Sequence, residues 1–243
     1  MHRFFASKDQ FTKDTVRITG DDVAHITRVL RLKAGDTVSV CDKDKTDYIC
    51  SVRDFGKDFV DLDILSFEPN KNEAGLSVTL YQGLPKADKM ELIIQKAVEL
   101  GVNRIVPVVT KRTVVKLKDN SKKKDRWQKI SEQAAKQCMR GIIPEVCEPV
   151  AFDEMLNEIK DAPLNIIAYE NEKQNKLKDI LSDNKNASGV NIIIGPEGGF
   201  EEEEVRLACA SGARAVTLGP RIMRCETAPI AVISAVMYEN GDW

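Results

Sequence analysis

The stretch Val190-Asn191-Ile192-Ile193-Ile194-Gly195-Pro196-Glu197-Gly198-Gly199-Phe200 decides the architecture. A short apolar run rich in β-branched residues and closed by Gly-Pro reads as a buried strand. Four glutamates, Glu201 to Glu204, then open a helix, where negative charge suits the dipole. A second stretch has the same plan: Ala215-Val216-Thr217 is followed by Leu218-Gly219-Pro220-Arg221-Ile222-Met223-Arg224-Cys225-Glu226-Thr227-Ala228. Each sets glycine and proline where a strand gives way to a helix, the place where open α/β sheets bind ligands. Two such loops with complementary chemistry predict one small-molecule pocket.

Outward from these loops, strand and helix alternate. Strands are expected over 76–81, 105–109, 165–169, 190–194 and 214–218. Helices are expected from Asp88 to Gly101 and over 126–140, 153–160, 176–181, 201–210 and 227–239. Asp88 with Glu91 fits a capping box, and Met90, Ile93, Ile94, Ala97 and Val98 form an apolar stripe. Pro107 points to an edge strand or a bulge, and Gly141 is expected to close the 126–140 helix. The fold class is α/β, with a mostly parallel sheet covered on both faces.

The first seventy residues read differently. A strand over 15–19 and a short helix capped by Asp21 or Asp22 and running to Leu30 precede three alternating runs. These are Val38 and Val40, then Tyr48, Cys50 and Val52, then Val60, Leu62 and Ile64, a pattern of half-buried antiparallel strands closing into a compact barrel. The polar, aperiodic segment 68–75 is the linker. The expected domains are 1–70 and 76–243.

Composition narrows the function classes. The chain has 243 residues, 42% of them hydrophobic and 30% charged, as in ordinary globular proteins. No apolar run approaches the ~20 residues of a membrane span, and the N-terminus lacks the apolar core of a secretory signal. Six cysteines without C-x-x-C spacing fit reduced, mostly buried thiols in a cytoplasm. Two histidines and no paired cysteines leave no zinc site. The net charge of −2 conceals segregation: residues 101–140 hold twelve Lys/Arg against three Asp/Glu, and residues 145–204 five against fifteen. A local basic field of that kind gathers phosphates; it also fits a solvated face with a loop at Lys122-Lys123-Lys124.

The glycine loop is neither a P-loop nor a dinucleotide fingerprint. Gly195, Gly198 and Gly199 expose backbone N–H and C=O groups and permit close approach. The glutamates that follow would repel phosphate, which points to a phosphate-free nucleoside. In the second loop Arg221 and Arg224 suit carboxylate or phosphate, and Thr227 is a candidate N-cap with Pro229 just inside the helix. On the 126–140 helix, Trp127, Ile130, Ala134 and Cys138 face the core. Lys129, Gln133, Lys136 and Arg140, with Gln137 beside them, form a row that could track a phosphate backbone. Lys86 and Lys89 could extend it. His25 lies beside Arg28 and Arg31 on the N-terminal helix; it reads as a packing or capping residue, and the arginines as RNA contacts.

Taken together, residues 25–31, 89–101, 194–200 and 218–228 resemble the bacterial 16S rRNA uridine-N3 methyltransferase family of the SPOUT superfamily. The resemblance implies an N-terminal PUA-like β-barrel that binds RNA, an α/β domain with a deep trefoil knot, S-adenosyl-L-methionine as methyl donor, and a homodimer acting on 16S rRNA, within the 30S particle. It makes Gly195, Pro196, Glu197, Gly198, Leu218, Gly219, Pro220, Arg221, Ile222, Met223, Thr227 and Ala228 the donor site. Arg221, Arg224 and Glu226 become the catalytic candidates, with Glu226 or Glu197 taking the N3 proton. One departure is that Met223 and Cys225 flank Arg224 where leucine and threonine are expected. Other classes that fit are a SPOUT ribose 2′-O-methyltransferase and a non-catalytic RNA-binding protein.

Overall fold

The computed structural model describes residues 1–114 and 120–239, so part of the basic stretch, 115–119, lies outside the described residues. The chain forms two units: residues 1–73 with 135–143, and residues 74–134 with 144 onward.

The first unit is a curled five-stranded sheet in the order β1-β3-β4-β5-β2. Its strands are β1 (Arg3–Phe5), β2 (Thr15–Thr19), β3 (Thr37–Cys41), β4 (Thr46–Phe55) and β5 (Phe59–Pro69). Only β1 and β3 run parallel; the other ladders are antiparallel. Phe4 beside one edge and Val16 and Ile18 at the other share a core with Val38, Val40, Cys50, Val52, Val60 and Leu62, so the sheet wraps round its own apolar face. Helix α1 (Asp21–Ala24) continues as a π-helical turn, His25–Leu30, which plugs Ile26 into that core. Gly20, at φ 73°, occupies the N-cap position expected for Asp21 or Asp22.

The expected linker is structured at both ends. Glu68 and Pro69 pair with β4. Asn70 donates to Asp47 (2.7 Å) and to the Met139 carbonyl (3.1 Å). The Glu73 carboxylate accepts from Arg140 Nη2 (2.7 Å), Gly141 N (2.8 Å) and Ile142 N (3.2 Å). Residues 135–143 therefore belong to this unit through hydrogen bonds.

The second unit is a parallel sheet of seven strands: β6 (Ser77–Gly83), β7 (Arg104–Val109), β8 (Glu145–Val146), β9 (Val150–Ala151), β10 (Asn165–Ala168), β11 (Gly189–Ile194) and β12 (Ala213–Val216). Its order is β12-β10-β11-β6-β7-β8, with β9 also on β7. The helices are α2 (Lys89–Glu99), α3 (Asn120–Gln137, whose last residues belong to the first unit), α4 (Phe152–Ile159), α5 (Leu177–Asp183), α6 (Glu202–Ala210) and α7 (Thr227–Glu239). Helices α4 and α6 bury Met155, Ile159, Val205 and Ala208 against Tyr81, Ile167 and Ile193. The alternate strand residues Val78, Leu80, Ile166 and Ile192 are buried too, with α7 against β11 and α2 and α5 beside α7. Both faces are covered, as a parallel sheet requires.

Three local expectations fail for visible reasons. Pro107 lies on an inner strand, between β6 and β8/β9. The Ile105 carbonyl accepts from Cys147 on the β8 side, so Pro107, two residues on, turns its missing N–H to that side, where the ladder breaks between β8 and β9. Glu91 forms no capping box, because its carboxylate is held by Arg126 at 2.7 Å. Helix α3 takes in Lys122 to Lys124 and ends before Met139, whose φ of 63° breaks it ahead of Gly141. Among the described residues no helix is long and apolar enough to cross a membrane.

Candidate active site

Strands β12, β10 and β11 are parallel neighbours, so the loops at their carboxyl ends lie side by side. They line one cleft of about 640 Å³. Gly195, Pro196, Glu197, Gly198 and Gly199 come from the β11 loop; Leu218, Gly219, Pro220, Arg221, Ile222, Met223, Arg224 and Cys225 come from the β12 loop, with Ala228 in the first turn of α7. The two turns quoted from the sequence thus converge. Sequence reasoning missed the third wall, Tyr169, Glu170, Asn171 and Lys173 after β10. That segment carries no glycine or proline, and only the strand order shows that it lies between the other two. A lobe of about 600 Å³ continues past Leu218, Pro220 and Met223 to Lys176, Leu177 and Ala231.

The β6 strand sets the loop height. Gly83 lies so close to Pro196 that a Cβ there would stand 2.5 Å from the proline Cδ and 2.6 Å from its N. Beside it, buried Gln82 donates to the Gly195 carbonyl at 3.3 Å. Helix α6 is capped by its own glutamate: Glu204, 2% exposed, accepts from Glu201 N (2.9 Å) and Lys111 N (2.8 Å). A phosphate at this helix end would meet the Glu201 N–H already engaged and carboxylates around it. The cleft therefore suits a nucleoside without phosphates.

Charge is arranged around Lys89, at the first residue of α2. Its ammonium stands 3.2 Å from Glu197 Oε1 and 3.2 Å from Glu226 Oε2. Lys86 N donates to Glu197 Oε1 at 3.0 Å, and the Cys225 thiol donates to Glu226 Oε2 at 3.2 Å. Hydrogen bonds to Glu197 and then Glu226 raise the Lys89 pKa. Burial works against both carboxylates, but backbone N–H groups and Lys89 outweigh it and hold Glu197 and Glu226 below the usual range. Burial, then the bond to Glu226, pushes the Cys225 thiol up to about 12. Pairs with this much solvent contact contribute little to stability. Their effect is therefore on position more than on stability.

Several expected roles change. Glu226 is not among the residues that line the cleft, and its carboxylate is bonded by Lys89 and the Cys225 thiol; the glutamate that faces the cleft beside Lys89 is Glu197. Thr227 is also outside the lining; it is the first residue of α7, not its cap, and its N–H donates to the Arg224 carbonyl at 2.9 Å. The Arg221 and Arg224 guanidinium groups are exposed and make no hydrogen bond or ion pair with the described residues. Lys129, Gln133 and Gln137 are exposed on α3, but Lys136 is held by Asp22 at 2.9 Å and Arg140, 3% exposed, by Glu73. The latter two do not belong to an open cationic row. Lys86, Arg28 and Arg31 are exposed.

Comparison with known proteins identifies relatives that match this chain along most of its length. The RNA methyltransferase domain family matches residues 72–237, and the RNA methyltransferase PUA domain matches residues 18–65. Ribosomal RNA small subunit methyltransferase E of Bacillus subtilis is 36% identical over 99% of this chain and 97% of its own length. The structure of the Neisseria gonorrhoeae enzyme of the same name, bound to S-adenosyl methionine, matches with a TM-score of 0.88 at 31% identity, over 98% of this chain and 97% of that one. A methyltransferase structure from Legionella pneumophila, with the same cofactor bound, gives 0.87 at 31%, over 97% of this chain and 96% of that one. With the catalytic-domain family spanning most of its length and relatives of this similarity end to end, the chain belongs to the ribosomal RNA small subunit methyltransferase E family.

Proposed function

We propose that this protein methylates N3 of a uridine in 16S rRNA of the small ribosomal subunit, using S-adenosyl-L-methionine. The observation that carries the reading is the convergence of the two glycine-bearing loops into one phosphate-averse cleft, in a chain whose relatives hold that donor. The cleft fits the donor: glycine backbone for the adenosine edge, Phe200 and Met223 for apolar contact, and carboxylates Glu170 and Glu197 for a positive centre. Bound there, the donor supplies an electrophilic methyl group.

Uridine N3 is a poor nucleophile until its proton leaves. In this reading Glu197, which lines the cleft, accepts that proton, but a carboxylate held below its usual pKa is a weak base. Most of the assistance then falls to charge stabilisation by Arg221 and Arg224, where one well-placed donor is worth about 10²–10³ in rate. Lys129, Gln133, Arg28 and Arg31 are the RNA contacts in this reading. The working form is a knotted homodimer in the cytoplasm, acting on 16S rRNA within the 30S particle, as family membership supports.

Incubating the protein with donor and either free 16S rRNA or 30S particles, and locating the methyl group by mass, tests this. A methyl on uridine N3 supports it. A methyl on a ribose 2′-oxygen replaces it with a different RNA methylation. No methyl, together with no heat of donor binding, leaves an RNA-binding protein.

A further inference from the structure

One group has no role in the proposed reaction: a cation in the cleft wall shared by carboxylates from two separate loops. We infer that Lys89 is a positioning residue, which clasps Glu197 of the β11 loop and Glu226 of the β12 loop and thereby keeps the Glu197 carboxylate aimed at the cleft. The inference rests on the methyl-transfer reading and adds a residue to it.

The geometry has three parts. Lys89 Nζ is equidistant, at 3.2 Å, from the two carboxylates. Glu226 is anchored from behind by the Cys225 thiol, and Glu197 by the Lys86 N–H, so neither carboxylate is free to follow the ammonium if it moves. Lys89 itself opens α2, whose buried face is packed, so its Cα is fixed while its side chain reaches across the loops. One side chain thus ties two loops that the sequence separates by about thirty residues. The titratable groups facing Glu197 and Glu226 from these elements are Lys89 and Cys225; Arg221 and Arg224 bond to neither carboxylate.

An opposite charge favours the ionised carboxylate, so removing the ammonium raises the Glu197 pKa. In Lys89→Met the acid limb of the kcat–pH profile moves up by about one pH unit, and kcat falls about tenfold near the foot of the limb. KM for the donor changes less than kcat. Lys89→Arg, which keeps the charge, restores the limb to its original place. Carbon-13 NMR of the glutamate carboxyls in the donor-free protein reads the same shift without activity. Donor calorimetry and thermal melting show whether the variant is folded.

If Lys89→Met lowers kcat by one factor at every pH, and the Glu197 carboxyl titrates as before, Lys89 is only a structural tie and the inference fails. If the unsubstituted protein methylates no RNA, the underlying function fails instead. The NMR titration still reports on the clasp in that case.

Discussion

The Arg140 guanidinium meets the Glu73 carboxylate at 2.7 Å with both side chains nearly sealed from water, 3% and 5% exposed. The pair joins two segments of the first unit far apart in sequence, and Arg3 Nη2 donates to the Arg140 carbonyl at 2.6 Å. Removing one partner of a buried pair strands the other charge, at about 3–5 kcal/mol. Arg140→Met is therefore expected to cost that much in chemical denaturation. Adding Glu73→Gln should recover part of the loss.

Arg221 and Arg224 carry the opposite expectation. Their guanidinium groups support nothing in the fold, so alanine at either position should leave stability within about 0.5 kcal/mol. Single-turnover methyl transfer should fall about 10²–10³-fold for each. Unchanged transfer in both variants would remove the arginines from the reaction.

Gly83→Ala tests the loop height. A methyl group 2.6 Å from the Pro196 backbone N cannot be absorbed by a side chain turning aside, so the β11 loop must shift. Donor affinity measured by calorimetry should fall at least tenfold, with the circular dichroism unchanged. Undiminished affinity would mean that the Gly195–Gly199 loop is not the donor wall.

Cys225 and Cys209 should part company towards iodoacetamide. Cys225 is buried, and burial pushes its thiol up to about 12, whereas Cys209 is exposed. At pH 8 the folded protein should label at Cys209 and not at Cys225, as read by peptide mass spectrometry. Cys225→Thr should keep activity within about threefold, since a hydroxyl can donate to Glu226 as the thiol does.

RNA affinity separates exposed cations from committed ones. Arg28→Ala and Arg31→Ala should each reduce the salt slope of 16S rRNA binding by about one. Lys136→Ala should leave the slope unchanged, because its charge is already spent on Asp22.

The cleft was legible in the sequence because its chemistry is local: glycine, proline and arginine sit at the ends of short apolar strands. The strands were legible for the same reason, and of the residues expected in the core of β3 to β5, Val38, Val40, Cys50, Val52, Val60 and Leu62 bury, while Tyr48 and Ile64 pack against them partly buried. What escaped was whatever depends on distant partners. Lys136 and Arg140 match Lys129 in type and helical spacing, and only Asp22 and Glu73, remote in sequence, take them off the surface. Glu226 looked like Glu197 in the sequence, and only the structure shows its carboxylate engaged by the Cys225 thiol and outside the cleft lining. Pro107 looked like an edge residue because no pattern in 145–151 announces two short strands with a gap between them.

The return of 135–143 to the first unit has a consequence for biosynthesis. A nascent chain that has emerged only as far as Glu73 has every strand of the small sheet but lacks the arginine that neutralises that glutamate. The N-terminal unit reaches its final state only after some seventy further residues, including the first two strands of the larger sheet, have left the ribosome. Maturation of the two units is therefore interleaved in time, and a fragment cut after residue 73 is an unfinished object rather than a minimal domain.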